Sequence, residues 1–258
     1  MRRFVAALGV AVLTLAASAT PADANHSWNG YHWSRAANPF TVPLGDNLTS
    51  AWDGYLITAS SDWSVSTVLD TGIQAGSTTG RKCRASSRTV QVCNAAYGRN
   101  GWLGLASIWI SGGHITQGTV KVNDTYFAMA SYNNVNEKLH VMCQEIGHTF
   151  GPTHQDESGI SLDTCMDYYH NTGDADTKST RPNQHDYDQL VTIYTSHYDA
   201  AAGAAVVVGG GGAGAAGDAG DGDGTPPGAS RARGSWYVQE FGQGRTLLTH
   251  VFWAPGGH

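Results

Sequence analysis

The sequence predicts an α+β domain, an α/β sandwich, from three observations. An amphipathic helical pattern comes first, several β-rich segments follow, and two further helical patterns close the region. In the first pattern Leu48, Trp52, Tyr55, Leu56, Ala59 and Trp63 recur at helical spacing, which predicts a helix over 47–60. Segments 89–97, 102–110 and 119–127 are rich in Val, Ile, Trp and Tyr and are separated by Asn, Gly and Ser, so they read as strands. A helix is predicted over 136–149, where Gly151-Pro152 stops it. The last helix is predicted over 183–198, with Tyr187, Leu190, Val191 and Tyr194 on one face. No internal repeat is visible.

The ends of the chain differ from this middle. Residues 1–24 have the layout of an export signal: Arg2 and Arg3, an apolar run from Phe4 to Ala17, and the small residues of Ala22-Asp23-Ala24. The run is too short to anchor in a bilayer, and no second apolar stretch reaches spanning length. A secreted, extracellular product with no membrane partner is expected. The domain follows over 25–199. Residues 200–234 are dominated by Ala, Gly and Asp and read as a flexible linker, which cannot bury enough apolar surface to order itself. Residues 235–258 form a C-terminal tail with two strand-like runs around Gly242-Gln243-Gly244, a hairpin signal. An isolated hairpin is marginal in water, so the sequence leaves two readings: the hairpin pairs with or packs on the domain, or the tail is sticky and partly disordered.

Composition narrows the function. The 258 residues carry 15 Lys+Arg against 21 Asp+Glu, a formal charge of −6, which argues against nucleic acid as a partner. Outside the cell the four cysteines favour disulfides over metal or redox work. Cys83 and Cys93 suit a bridged loop, yet three connectivities are possible and spacing alone does not choose. Glu is scarce, at residues 137, 145, 157 and 240 only, while His occurs 11 times.

One of those glutamates lies in the stretch from His140 to His154, which contains Gln144-Glu145-Ile146-Gly147-His148-Thr149-Phe150-Gly151-Pro152-Thr153-His154. On a helix, residues 144 and 148 lie about 40° apart on one face and roughly 6 Å apart along the axis, so both can grip one ion. Glu145 is rotated by about 100° and sits beside such an ion rather than on it. Gly151 can end the helix in the left-handed conformation and let His154 return. Three protein ligands with an open fourth position is the arrangement of a catalytic zinc.

These residues resemble the elongated motif H-E-x-x-H-x-x-G-x-x-H of the metzincin zinc metalloproteases, with Gln144 in place of the first His. Downstream, Ser161-Leu162-Asp163-Thr164-Cys165-Met166-Asp167-Tyr168 looks like the family's Met-turn. The resemblance covers about residues 30–199 and is best to matrixin-like secreted bacterial members. It implies a twisted sheet with an antiparallel edge strand for substrate, an active-site helix, the Met-turn and a C-terminal helix. Residues Tyr126 to Ser131 are the candidate for that edge strand. The resemblance also favours a Cys143–Cys165 disulfide that pins the turn beneath the metal helix, with Cys83–Cys93 as the other bridge.

What the resemblance implies is a secreted zinc-dependent endopeptidase, expected as a monomer, that acts on polypeptides. Gln144, His148 and His154 are the expected metal ligands. Glu145 is the expected general base and then acid, and Tyr168, two residues after Met166, is a candidate for contacting the metal or the developing oxyanion. Asp156, Glu157 and Asp163 are candidate ligands for structural calcium, although acidic loop residues are usually just solvated. An amide oxygen is a weaker zinc ligand than imidazole. Gln144 therefore also supports an alternative, a secreted binding module that keeps the fold and has lost catalysis. No nucleotide-binding or serine-hydrolase motif competes.

Overall fold

A computed structural model describes residues 26–173, 175–195, 198–199, 223–231 and 234–255. The export segment expected over 1–24 and residues 200–222 of the expected linker lie outside the described residues. The strands are β1 (His32–Trp33), β2 (Phe40–Asn47), β3 (Leu69–Ala75), β4 (Val90–Ala95), β5 (Trp102–Ser111), β6 (His114–Asn123), β7 (Trp236–Gly242) and β8 (Arg245–Trp253). The helices are α1 (Asp53–Trp63), α2 (Asp124–Phe127), α3 (Val135–His148) and α4 (Gln184–Thr195). Together they make an α+β fold around one mixed eight-stranded sheet.

The strands run in the order β3-β2-β4-β6-β5-β8-β7, with β1 also paired to β6. Strands β3, β2, β4 and β6 are mutually parallel, and β5, β8 and β7 continue the sheet in antiparallel steps. Strand β4 is buried over its first five residues, as suits a parallel strand covered on both faces. Two tight turns fix the antiparallel half. Gly112 and Gly113 both have positive φ between β5 and β6, and Gln243 and Gly244 do so between β7 and β8, the geometry that matches strand twist in short hairpins.

Helix α3 lies across β5 and β6 and touches α1 and β8. Trp63 at the end of α1 is fully buried and donates its indole N–H to the Cys143 carbonyl at 3.0 Å, which locks α1 to α3. Disulfides join Cys83 to Cys93 and Cys143 to Cys165, as favoured above, and two bridges suit an oxidising compartment. Among the described residues no helix is long and apolar enough to cross a membrane.

Several elements depart from expectation. The first helix begins at Asp53 rather than residue 47, and β1, β2 and β3 were not foreseen. The strand expected over 119–127 ends at Asn123, whose buried side chain caps α2 by accepting from Thr125 N at 3.1 Å. Residues Tyr126 to Ser131, the candidate edge strand, are instead the end of α2 and the turns after it. The sheet's antiparallel edge is β7, which pairs only with β8 among the described strands, while β5 is interior because β8 pairs with it from Trp102 to Ser111.

Candidate metal centre

Helix α3 is started by Asn134, whose side chain accepts from Asn136 N at 2.7 Å and Glu137 N at 3.2 Å. It ends just before Gly151, which takes φ +112° where a Cβ would come within 2.4 Å of the Tyr31 carbonyl. That turn brings His154 back against His148, their ring centroids 4.9 Å apart. The third member of the group comes from the other end of the chain. His250 on β8 places its ring 4.2 Å from His148 and 4.7 Å from His154. One nitrogen from each of the three imidazoles lies within 4.8 Å of the others.

Each ring is held through Nδ1. His148 Nδ1 lies 3.0 Å from the Pro152 carbonyl, His154 Nδ1 3.1 Å from Glu157 Oε1, and His250 Nδ1 3.0 and 3.1 Å from the two Glu145 oxygens. The Pro152 carbonyl only accepts, and Glu157 and Glu145 accept when ionised; in that state each Nδ1 carries the proton and each Nε2 presents a lone pair. All three Nε2 atoms are buried and have no hydrogen-bond partner. Burial keeps the rings neutral: His154 is held at about 4, despite its Glu157 bond, His250 at about 3, and His148 well below the usual histidine range. Neutral imidazoles with unpartnered Nε2 atoms and acceptors on Nδ1 are the donor set of a zinc-type centre, so these residues fit a metal.

Glu145 is fully buried beneath the cluster, and burial raises its pKa well above the usual carboxylate range. It packs on β5 where Gly104 leaves room, since a Cβ there would come within 2.9 Å of Glu145 Cγ. Gln144, the first expected ligand, is also fully buried. Its Nε2 donates to the Cys165 and Asp167 carbonyls at 2.7 and 2.6 Å, and its Oε1 has no partner. The side chain thus reaches the loop at Cys165 to Asp167. Met166 lies on the other side of that contact, against Gly147, where a Cβ would be 2.7 Å from its sulfur.

Tyr168 packs on His154 at 5.1 Å between centroids, and its hydroxyl accepts from Trp253 N at 3.2 Å. Trp236 covers the cluster at 4.8 Å from both His148 and His250, with its N–H 3.2 Å from Glu157 Oε1. The calcium candidates are not drawn together. Asp156 accepts from Ser158, Glu157 serves His154 and Trp236, and Asp163 pairs with Lys178.

His250 was missed because no local spacing ties it to the helical motif. The available signal was a lone histidine in the apolar strand Leu247-Leu248-Thr249-His250-Val251-Phe252.

No family model matches the chain, and no curated protein is similar to it. Among solved structures, that of myroilysin matches over 64% of this chain and 97% of that chain, with 11% identity and a TM-score of 0.36.

Proposed function

We propose that the protein is an exported zinc-dependent peptidase whose metal ligands are His148, His154 and His250, with Glu145 as its acid–base group. The observation that carries this reading is the set of three buried, unpartnered Nε2 atoms, each on a ring oriented through Nδ1. His250 thus supplies the third imidazole that the helical motif lacks, and Gln144 serves to hold the Met-turn. When bound, zinc lowers the pKa of a coordinated water and polarises a substrate carbonyl.

The protein's own groups do the rest. The Pro152 carbonyl, Glu157 and Glu145 fix the ring tautomers. Glu145 is the carboxylate in contact with the cluster, and burial raises its pKa well above the usual carboxylate range. For that exchange it releases or shares its hydrogen bond with His250. Tyr168, held by Trp253 N, positions the His154 ring.

A second reading has its own observation. His148, His154, His250 and Glu145 are each at most 5% exposed, and Trp236 lies across the rings. In that reading the metal pins the C-terminal hairpin and the domain binds without cleaving. The test is the zinc content of the purified protein together with chelator-sensitive hydrolysis of an unfolded protein substrate. Zinc-loaded protein that cleaves no faster than its Glu145→Ala variant overturns the peptidase. Zinc that survives His250→Ala but is lost in Gln144→Ala overturns the ligand assignment.

A further inference from the structure

A second group of potential ligands lies where the start of the described chain meets helix α4. His26 donates its main-chain N–H to Gln189 Oε1 at 3.0 Å, and its Nδ1 lies 2.9 Å from the Thr153 carbonyl. A carbonyl only accepts, so Nδ1 carries the proton and Nε2 of the neutral ring presents a lone pair. That lone pair faces Asp186 Oδ1 at 3.6 Å, beyond hydrogen-bond reach. The other carboxylate oxygen of Asp186 is taken by the Thr164 hydroxyl and by Asn183 N.

His185 completes the group. Its ring stacks on His26 at 4.9 Å with 14° between the planes. Asn183 Oδ1 caps the helix at His185 N, 2.9 Å away, so two of the three side chains start from a fixed helix end. His26 Nε2, His185 Nδ1 and Asp186 Oδ1 are all shut off from solvent, and none has a hydrogen-bond partner. One ligand atom from each residue lies within 4.8 Å of the others. In the His185 tautomer that carries its proton on Nε2, Nδ1 presents a lone pair, and a cation among the two ring nitrogens and the Asp186 oxygen would satisfy all three.

We propose that His26, His185 and Asp186 form a second site for a divalent transition-metal ion of the zinc class. Two imidazoles and a carboxylate suit zinc, whereas calcium and magnesium prefer an all-oxygen shell. The site shares no ligand with the His148–His154–His250 centre and does not depend on it. An ion there would tie residue 26 to α4. It would also brace the segment leading to His154, because Thr153 N donates to the His26 carbonyl at 2.7 Å.

The test is zinc stoichiometry on full-length protein that has been stripped with chelator, reloaded with zinc and desalted. Wild type is expected to hold two zinc ions, His185→Ala one, His250→Ala one, and the double variant none. His185 is only partly buried, so its replacement spares the fold better than that of His26 or Asp186. Zinc should also raise the melting temperature of His250→Ala but not of the double variant. Two ions retained in His185→Ala, or one ion in wild type and His185→Ala alike, would overturn the second site. One ion in wild type that survives His250→Ala and disappears in His185→Ala supports this site and instead sinks the first centre.

Discussion

His250 Nδ1 lies 3.0 Å from Glu145 Oε2, although 105 residues separate the two in the chain. The bond crosses from the C-terminal hairpin to α3 and is buried on both sides, with each side chain at or near zero exposure. A carboxylate on the far nitrogen of a ligating imidazole orients the ring and raises its basicity. Glu145→Ala is therefore expected to weaken zinc binding by about 10- to 100-fold. Glu145→Gln keeps an acceptor and should lose less. Competition against a chromophoric chelator measures both, and equal affinity in wild type and Glu145→Ala would refute the orienting role.

Gln144 shares this helix and has a different task. Two main-chain carbonyls face its amide nitrogen, which fixes the way the amide points. Gln144→Met would leave the buried Cys165 carbonyl without its donor, at a cost of about 1–3 kcal/mol, while the Asp167 carbonyl still accepts from Tyr169 N at 2.9 Å. The expected result is a lower urea midpoint with zinc affinity within a few-fold of wild type. Zinc affinity that collapses while stability holds would return Gln144 to the metal.

How much of this was legible in the sequence depended on sequence distance. The helix and the return of His154 follow from spacings of four and six residues, and the structure realises both in α3 and the Gly151 turn. The disulfide from Cys143 to Cys165 spans 22 residues and accompanies the motif. His250 could not be read because its partners are joined to it only by the pairing of β8 with β5. Strand β2 carries Pro43, Gly45 and Asp46, and β3 carries Asp70 and Gly72, residues of low strand propensity. Their pairing along Phe40↔Leu69 to Asp46↔Ala75 is a tertiary result that local pattern does not announce.

Gly147 is the point where α3, Met166 and the Trp63 end of α1 meet. A Cβ there would lie 2.3 Å from the Trp63 indole and 2.7 Å from Met166 Sδ. Alanine normally gains up to about 1 kcal/mol over glycine inside a helix. Overpacking against a buried indole that is itself hydrogen-bonded costs about 1–3 kcal/mol, so the clash should win. Gly147→Ala is expected to be less stable than wild type in urea and to bind zinc more weakly as α3 shifts. An unchanged or raised midpoint would show that Trp63 and Met166 yield freely.

The loop that carries Asp176 should set part of the acid stability. Burial alone would raise the Asp176 pKa, but hydrogen bonds outweigh it and hold the group at about 2. Their donors are the Ser179 hydroxyl at 2.6 Å, the main-chain N–H groups of Ser179 and Lys178, and the Ser161 hydroxyl. A folded-state pKa below the unfolded value of about 3.9 means that the unfolded chain binds the proton more readily. The contribution of Asp176 is thus fully present above about pH 4 and is lost as the pH falls toward 2. Asp176→Asn should lower stability at neutral pH and flatten the fall between pH 4 and 2, because the neutral side chain no longer titrates. Urea midpoints for both proteins across that range decide it, and parallel curves would mean that Asp176 carries no share of the acid transition.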